Sequence, residues 1–153
     1  MFRKLGLLTI LIILALMASV PAVFAQGQAL IIGSFWIKPG EDEIHINLNA
    51  RAGDYWGDNT YAASGHIHYR EADGITRMAA IMMLFDPPPP EYGFWWPEDC
   101  AYVRGIGISG PREGDILCLQ VCGNRVYNAW WNFSAEPEFS NVSFTRGSVV
   151  IKP

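Results

Sequence analysis

Three histidines supply the metal-binding chemistry that the sequence groups together. His66 and His68 stand two residues apart in a stretch of alternating apolar and polar residues. On a β-strand both side chains therefore face the same side. His45 lies on the polar side of an earlier stretch of the same kind. If these strands pair, His45 can lie opposite His66 or His68, and three histidines on one sheet face can hold zinc with an open coordination position. Alternatively, all three occupy a solvated sheet face without a ligand.

A second group with binding chemistry follows the proline run Pro87–Pro90. Its four aromatic side chains are Tyr92, Phe94, Trp95 and Trp96. A polyproline stretch is stiff, and aromatic rings held on a stiff loop bind sugar rings or proline-rich chains. The sequence therefore predicts a platform for a glycan or an extracellular protein, within an insertion at about residues 84–101. The competing interpretation is that Trp95 and Trp96 plug one end of the fold.

The three cysteines predict one disulfide. Cys118 and Cys122 are four residues apart in a predicted strand, which separates them by about 13 Å. A disulfide requires Cα atoms within about 7 Å, so Cys100 bridges to one of the two. The remaining cysteine is either buried and inert or paired with another chain. Zinc binding by the cysteines is not expected, because they form no C-x-x-C motif.

No residue pattern points to catalysis. Ser64 stands in Ala63–Gly65 rather than in a G-x-S-x-G turn, and the carboxylates show no spacing that singles out an acid–base pair. We therefore expect a non-enzymatic domain without a cofactor, which binds a ligand or has a structural role at the cell exterior. The alternative is a metal-binding protein or metal-dependent enzyme built on the three histidines.

The first 25 residues have the features of a secretory signal peptide. Arg3 and Lys4 precede the apolar run Leu5–Val20, and Val23–Ala25 forms a small-residue cleavage site. Cleavage after Ala25 predicts a secreted protein, extracellular or periplasmic. The remaining 26–153 is the size of one domain.

The charge of the remaining chain argues against nucleic acid and anionic membranes as partners, and its hydropathy argues against a membrane-spanning segment. It keeps 9 of the 11 basic residues against all 15 acidic ones. An acidic surface disfavours nucleic acid and anionic membranes as partners. The sequence shows no second apolar span of about 20 residues, so no integral membrane segment is expected after signal cleavage.

Short alternating stretches separated by turn residues predict an all-β domain. Asp73–Gly74 and Gly123–Asn124 are hairpin signals, and Arg77–Phe85 has some helical propensity but fits a strand better. The pattern indicates a single antiparallel β-barrel or sandwich of seven to nine strands. The predicted strands are Leu30–Ile37, Glu43–Ala50, Gly65–Arg70, Arg77–Phe85, Tyr102–Ser109, Ile116–Val121, Arg125–Phe133, Phe139–Thr145 and Ser148–Lys152, with a loop at Arg51–Thr60.

Two of these stretches resemble a known family. Ala63–Arg70 and Gly114–Val126 carry A-S-G-x-I-x-Y and G-D-I-x-C-L-x-V-x-G-N motifs. They are similar to small secreted bacterial β-proteins of unknown function, of the post-COAP type. Leu48–Ala50 and Gly147–Ile151 fit its first and last elements, whereas Glu113 stands where the family often has histidine. The resemblance implies an all-β fold and secretion, and it implies no reaction.

Overall fold

Residues 29–85 and 100–153 form a closed barrel of eight antiparallel strands. The computed structural model describes residues 29–85 and 100–153; the predicted signal peptide lies outside them. The strands are β1 (Leu30–Ile37), β2 (Ile44–Gly57), β3 (Thr60–Glu71), β4 (Gly74–Leu84), β5 (Cys100–Ser109), β6 (Ile116–Cys122), β7 (Arg125–Trp131) and β8 (Phe139–Lys152). Each strand pairs with the next, and β8 pairs with β1. The prediction of an antiparallel all-β domain is confirmed, with the barrel as its form.

The alternation of apolar residues fills the interior of the barrel. On β2, Ile46 and Leu48 are fully buried, and the residues between them are partly exposed on the outer side. Tyr69, Met78 and Trp131 add large side chains to the same core. An eight-stranded barrel has an interior just wide enough for side chains to fill it. The interior is therefore the hydrophobic core, and the side chains that can meet a ligand are those on the outside and at the ends of the barrel.

The hairpin between β2 and β3 is longer than the sequence predicted. The expected loop at Arg51–Thr60 is wrong, because β2 continues to Gly57 and β3 begins at Thr60. Asp58 and Asn59 join them with φ angles of 49° and 55°. Positive φ at both central residues matches the twist of a tight two-residue hairpin turn. Aspartate and asparagine tolerate this conformation better than most residues.

Gly147 allows the last strand, β8, to lie close against the first strand, β1. The sequence predicts one strand before Gly147 and another after it, whereas β8 runs through this glycine as a single strand. Gly147 has a φ of +91°, and a Cβ atom there would overlap the Ser34 carbonyl oxygen and lie 2.7 Å from the Cα atom of Phe35. The glycine therefore permits close approach of the backbones where the barrel closes.

The two ends of the barrel carry different turns and contacts. At the lower end, which holds the β3–β4 and β5–β6 turns, Arg112 donates two hydrogen bonds to Glu71, of 2.8 and 3.0 Å. Its guanidinium also lies 4.2 Å from the ring centre of Trp131. The upper end holds the β2–β3 and β6–β7 turns, and there the pair Leu30 and Lys152 brings the first and last strands together. The upper end thus carries the long β2–β3 hairpin, whose residues Tyr55 and Trp56 are exposed.

Candidate functional site

Aromatic side chains line the β2–β3 hairpin from its tip to the barrel. Tyr55 and Trp56, next to the turn, are 59% and 61% exposed. The Tyr55 ring lies 5.2 Å from that of Tyr61, which meets the buried Phe85 edge-on at 5.9 Å. The hairpin therefore presents large apolar surface to solvent while its base is packed against the end of the core.

One hydrogen bond within the hairpin and one from the residue after β4 hold the tip of the hairpin. The backbone N–H of Asn59 donates to the Tyr55 hydroxyl at 3.4 Å, and the N–H of Phe85 donates to the Asn59 carbonyl at 3.4 Å. Asp54 and Asp58 are exposed on either side of the aromatic pair. The tip thus combines two exposed rings with two carboxylates that accept hydrogen bonds.

The sequence does not identify this hairpin as a site, because it predicts a loop at Arg51–Thr60. A usable signal was present in the stretch Gly53–Asn59, where two consecutive aromatic residues stand among glycines and acids. The predicted platform of Tyr92, Phe94, Trp95 and Trp96 lies outside the described residues and stays a prediction. The residues that flank that segment, Phe85 and Cys100, both lie at the upper end of the barrel.

The histidines share the outer face of β2 and β3, but the residues that lie opposite them differ from the prediction. The register pairs Asn49 with His66, Asn47 with His68, and His45 with Arg70. The predicted pairing of His45 with His66 or His68 is therefore wrong, because it depended on the length of the loop. The rings of His66 and His68 have centres 4.9 Å apart. Within 29–85 and 100–153, no three His, Cys, Asp or Glu side chains are grouped to hold a metal.

His45 is engaged by its own neighbours. Its Nε2 atom lies 2.9 Å from the Ser34 hydroxyl, and its ring stacks on Trp36 with centres 3.8 Å apart. Partial burial, followed by the charges of Arg70 and Arg146, lowers the pKa of His45. The side chain is therefore held in place as part of the surface packing of β1 and β2.

The cysteines lie on the outer side of β5 and β6. Cys100 and Cys122 are directly opposite each other and form the disulfide, which confirms the predicted role of Cys100. Cys118 is buried and not bridged. Burial and the neighbouring Cys118 thiol raise the pKa of Tyr102, whose hydroxyl accepts a hydrogen bond from Arg104 at 3.1 Å. A disulfide between paired strands suits an oxidising compartment.

Comparisons with known proteins identify no relative of this chain. No protein-family model, curated protein or solved structure matches the chain. Among the described residues, no helix is long and apolar enough to cross a membrane.

Proposed function

We propose that the protein is a secreted, non-enzymatic binding domain whose β2–β3 hairpin binds glycans at the cell exterior. The observation that carries this proposal is the adjacent pair Tyr55 and Trp56, each about three-fifths exposed on a hairpin that is tied to the barrel. Exposed aromatic surface costs hydration free energy, and its concentration at one tip is typical of a binding site. A ring stacks on the apolar face of a sugar, and the carboxylates of Asp54 and Asp58 accept hydrogen bonds from the sugar hydroxyl groups.

The size of the tip favours a glycan over a folded protein partner. A stable protein–protein interface buries about 800 Å² on each partner. Two rings and two carboxylates beside a two-residue turn offer a smaller surface, which matches a few sugar units. An aromatic ring and a carboxylate together also satisfy both the apolar and the hydroxyl-bearing sides of a sugar.

Secretion rests on the predicted signal peptide and on the compartment that the disulfide favours. Reducing cytosol would not maintain the Cys100–Cys122 bridge. The resemblance to secreted β-proteins of the post-COAP type agrees with this location and names no ligand. A binding role at the cell exterior is the function that combines these features with the exposed hairpin.

Retention on insoluble polysaccharides tests the proposal. The purified protein is mixed with chitin, cellulose and peptidoglycan, and the bound fraction is measured against protein concentration. We expect retention on at least one of them and a loss of about tenfold in affinity for Trp56→Ala, since about 1.4 kcal/mol of ring contact corresponds to a factor of ten. Tyr55→Ala should weaken binding in the same direction.

A matched control separates the hairpin from general surface stickiness. Val150→Ala removes a side chain that is equally exposed on β8 and should leave retention unchanged. Trp95→Ala with Trp96→Ala tests the predicted aromatic segment in the same assay, where unchanged retention confines binding to the hairpin. Absence of retention on all three polysaccharides, or full retention by the Tyr55→Ala and Trp56→Ala double variant, would overturn the proposal.

A further inference from the structure

We infer that His66 and His68 form a two-histidine binding site for a divalent transition metal, with Cu²⁺ as the preferred ion. The site lies on the outer face of β3 and is separate from the aromatic tip of the hairpin. It does not depend on glycan binding. It replaces the three-histidine arrangement that the sequence suggested with one in which His45 takes no part.

The distance between the two rings suits a shared metal ion. Their centres are 4.9 Å apart, and their planes are inclined by 34°. A metal bound about 2.1 Å from a ring nitrogen lies roughly 3.2 Å from the ring centre, so both rings reach one ion with an angle of about 100° between them. Both side chains are on the solvent side of the sheet, where they can turn their nitrogens toward the ion.

The neighbouring strand β2 offers further oxygen ligands beside the two histidines. Asn49 stands directly opposite His66 on β2, and Asn47 stands opposite His68. Their amide oxygens, or water, can complete a coordination shell. Mixed nitrogen and oxygen ligands in a tetragonal arrangement suit Cu²⁺, which also binds most tightly among the first-row divalent ions.

The other side of the histidine pair limits the affinity. On β4, the small Ala79 is opposite His66, whereas Arg77 is opposite His68. The guanidinium charge of Arg77 repels a bound cation, and solvent screens this repulsion only in part. Removal of that charge should therefore tighten metal binding.

His45 is excluded by register and by its contacts. It lies opposite Arg70, one outward position beyond the Asn47–His68 pair, and it is held by Ser34 and Trp36. To reach an ion between His66 and His68, its ring would have to leave both contacts. This difference makes His45→Ala the natural control.

Titration with Cu²⁺ in a glycine-buffered solution tests the site. We expect one equivalent to bind with an affinity that falls at least tenfold in His66→Ala and in His68→Ala. His45→Ala should bind like the wild-type protein, and Arg77→Gln should bind several-fold more tightly. Electron paramagnetic resonance of the bound ion should report two nitrogen ligands, both lost in the double variant.

Each other outcome contradicts the inference in a different way. Wild-type affinity in the His66→Ala, His68→Ala double variant would place the ion elsewhere, for example at the chain terminus or at Cys118. A tenfold loss in His45→Ala would restore a three-histidine site. The substituted side chains are on the outer face of the sheet, so each variant should keep a single cooperative thermal unfolding transition, which shows that the fold is intact even where the midpoint shifts.

Discussion

At the scale of single residues, two arginines make the same kinds of contact in different surroundings. Arg112 and Arg146 each pair with a carboxylate, Glu71 and Glu43 respectively, and each lies 4.2 Å from a tryptophan ring centre. The side chains of the Arg112 pair are only 28% and 20% exposed, whereas those of the Arg146 pair are 60% and 44% exposed. Water therefore screens the second pair much more strongly.

This difference predicts unequal losses of stability. Arg112→Ala should lower the free energy of unfolding by about 1–3 kcal/mol, because it removes two charge-assisted hydrogen bonds and uncovers Trp131. Arg146→Ala should cost less than about 1 kcal/mol. Urea unfolding of the two variants measures both values, and equal losses would show that burial does not set the strength of these contacts.

The lowered pKa of His45 predicts a loss of stability in acid. Partial burial, and then Arg70 and Arg146, make protonation of the ring less favourable in the folded protein than in the unfolded chain, where its value is near 6.5. The contribution is therefore fully present above that value and is lost as the pH falls below it. His68, whose pKa is lowered by burial and by His66 and Arg77, acts in the same direction.

Urea midpoints at about pH 7.5 and pH 5 test this effect. We expect the midpoint to fall on acidification, and to fall less in His45→Gln and least in the His45→Gln, His68→Gln double variant. For each protein, the quantity to compare is the change in urea midpoint between the two pH values, since each substitution also changes stability at neutral pH. An identical pH dependence in all three proteins would mean that other groups cause it.

At the scale of elements, the disulfide fastens the first residue of β5 to the last residue of β6. Cys100 and Cys122 are paired directly across these strands. A bridge that closes a loop of about 20 residues stabilises a protein by about 3 kcal/mol, mainly by restricting the unfolded chain. Cys100→Ser with Cys122→Ser should lower the free energy of unfolding by about that amount, as measured in urea.

Two controls accompany the disulfide variant. Reduction of the wild-type protein should reproduce the loss, and Cys118→Ala should cost only about 1 kcal/mol because it removes one small buried group. A double variant as stable as the wild-type protein would show that the strand pairing alone holds the upper end together.

The sequence predicts elements well where one face is consistently apolar, and poorly where glycine or charge interrupts the pattern. The alternation around Ile46 and Leu48 is local, so it identifies β2 and its buried face directly. Gly147 reads as a break because its role depends on Ser34, which is distant in the chain. The site followed the same rule: the outward direction of the histidines was predictable, and the register was not, because it depended on the turn at Asp58.

At the scale of the whole molecule, closure of the barrel is the feature that no local pattern carries. Short turns predict that strands consecutive in the chain are neighbours in the sheet. An open sheet, a sandwich and a barrel all share this sequence pattern. The difference lies in the pairing of β1 with β8, which joins residues such as Ile32 and Val150 from opposite ends of the fold's sequence. Closure leaves no sheet edge among the described strands, which removes the usual template for pairing between chains.

A designed cross-link tests closure directly. Ile32 and Val150 are paired across β1 and β8 and are not buried, so cysteines at both positions should form a disulfide in a Cys118→Ala background. Ile32 with Ser140 is the control, because Ser140 pairs with Asn128 and lies about 30 Å further along β8. Mass spectrometry of the folded protein should find the first bridge and not the second. Because the bridge closes a loop on the order of 100 residues, it should raise the free energy of unfolding by up to about 5 kcal/mol. An open sheet would leave both pairs reduced and its stability unchanged.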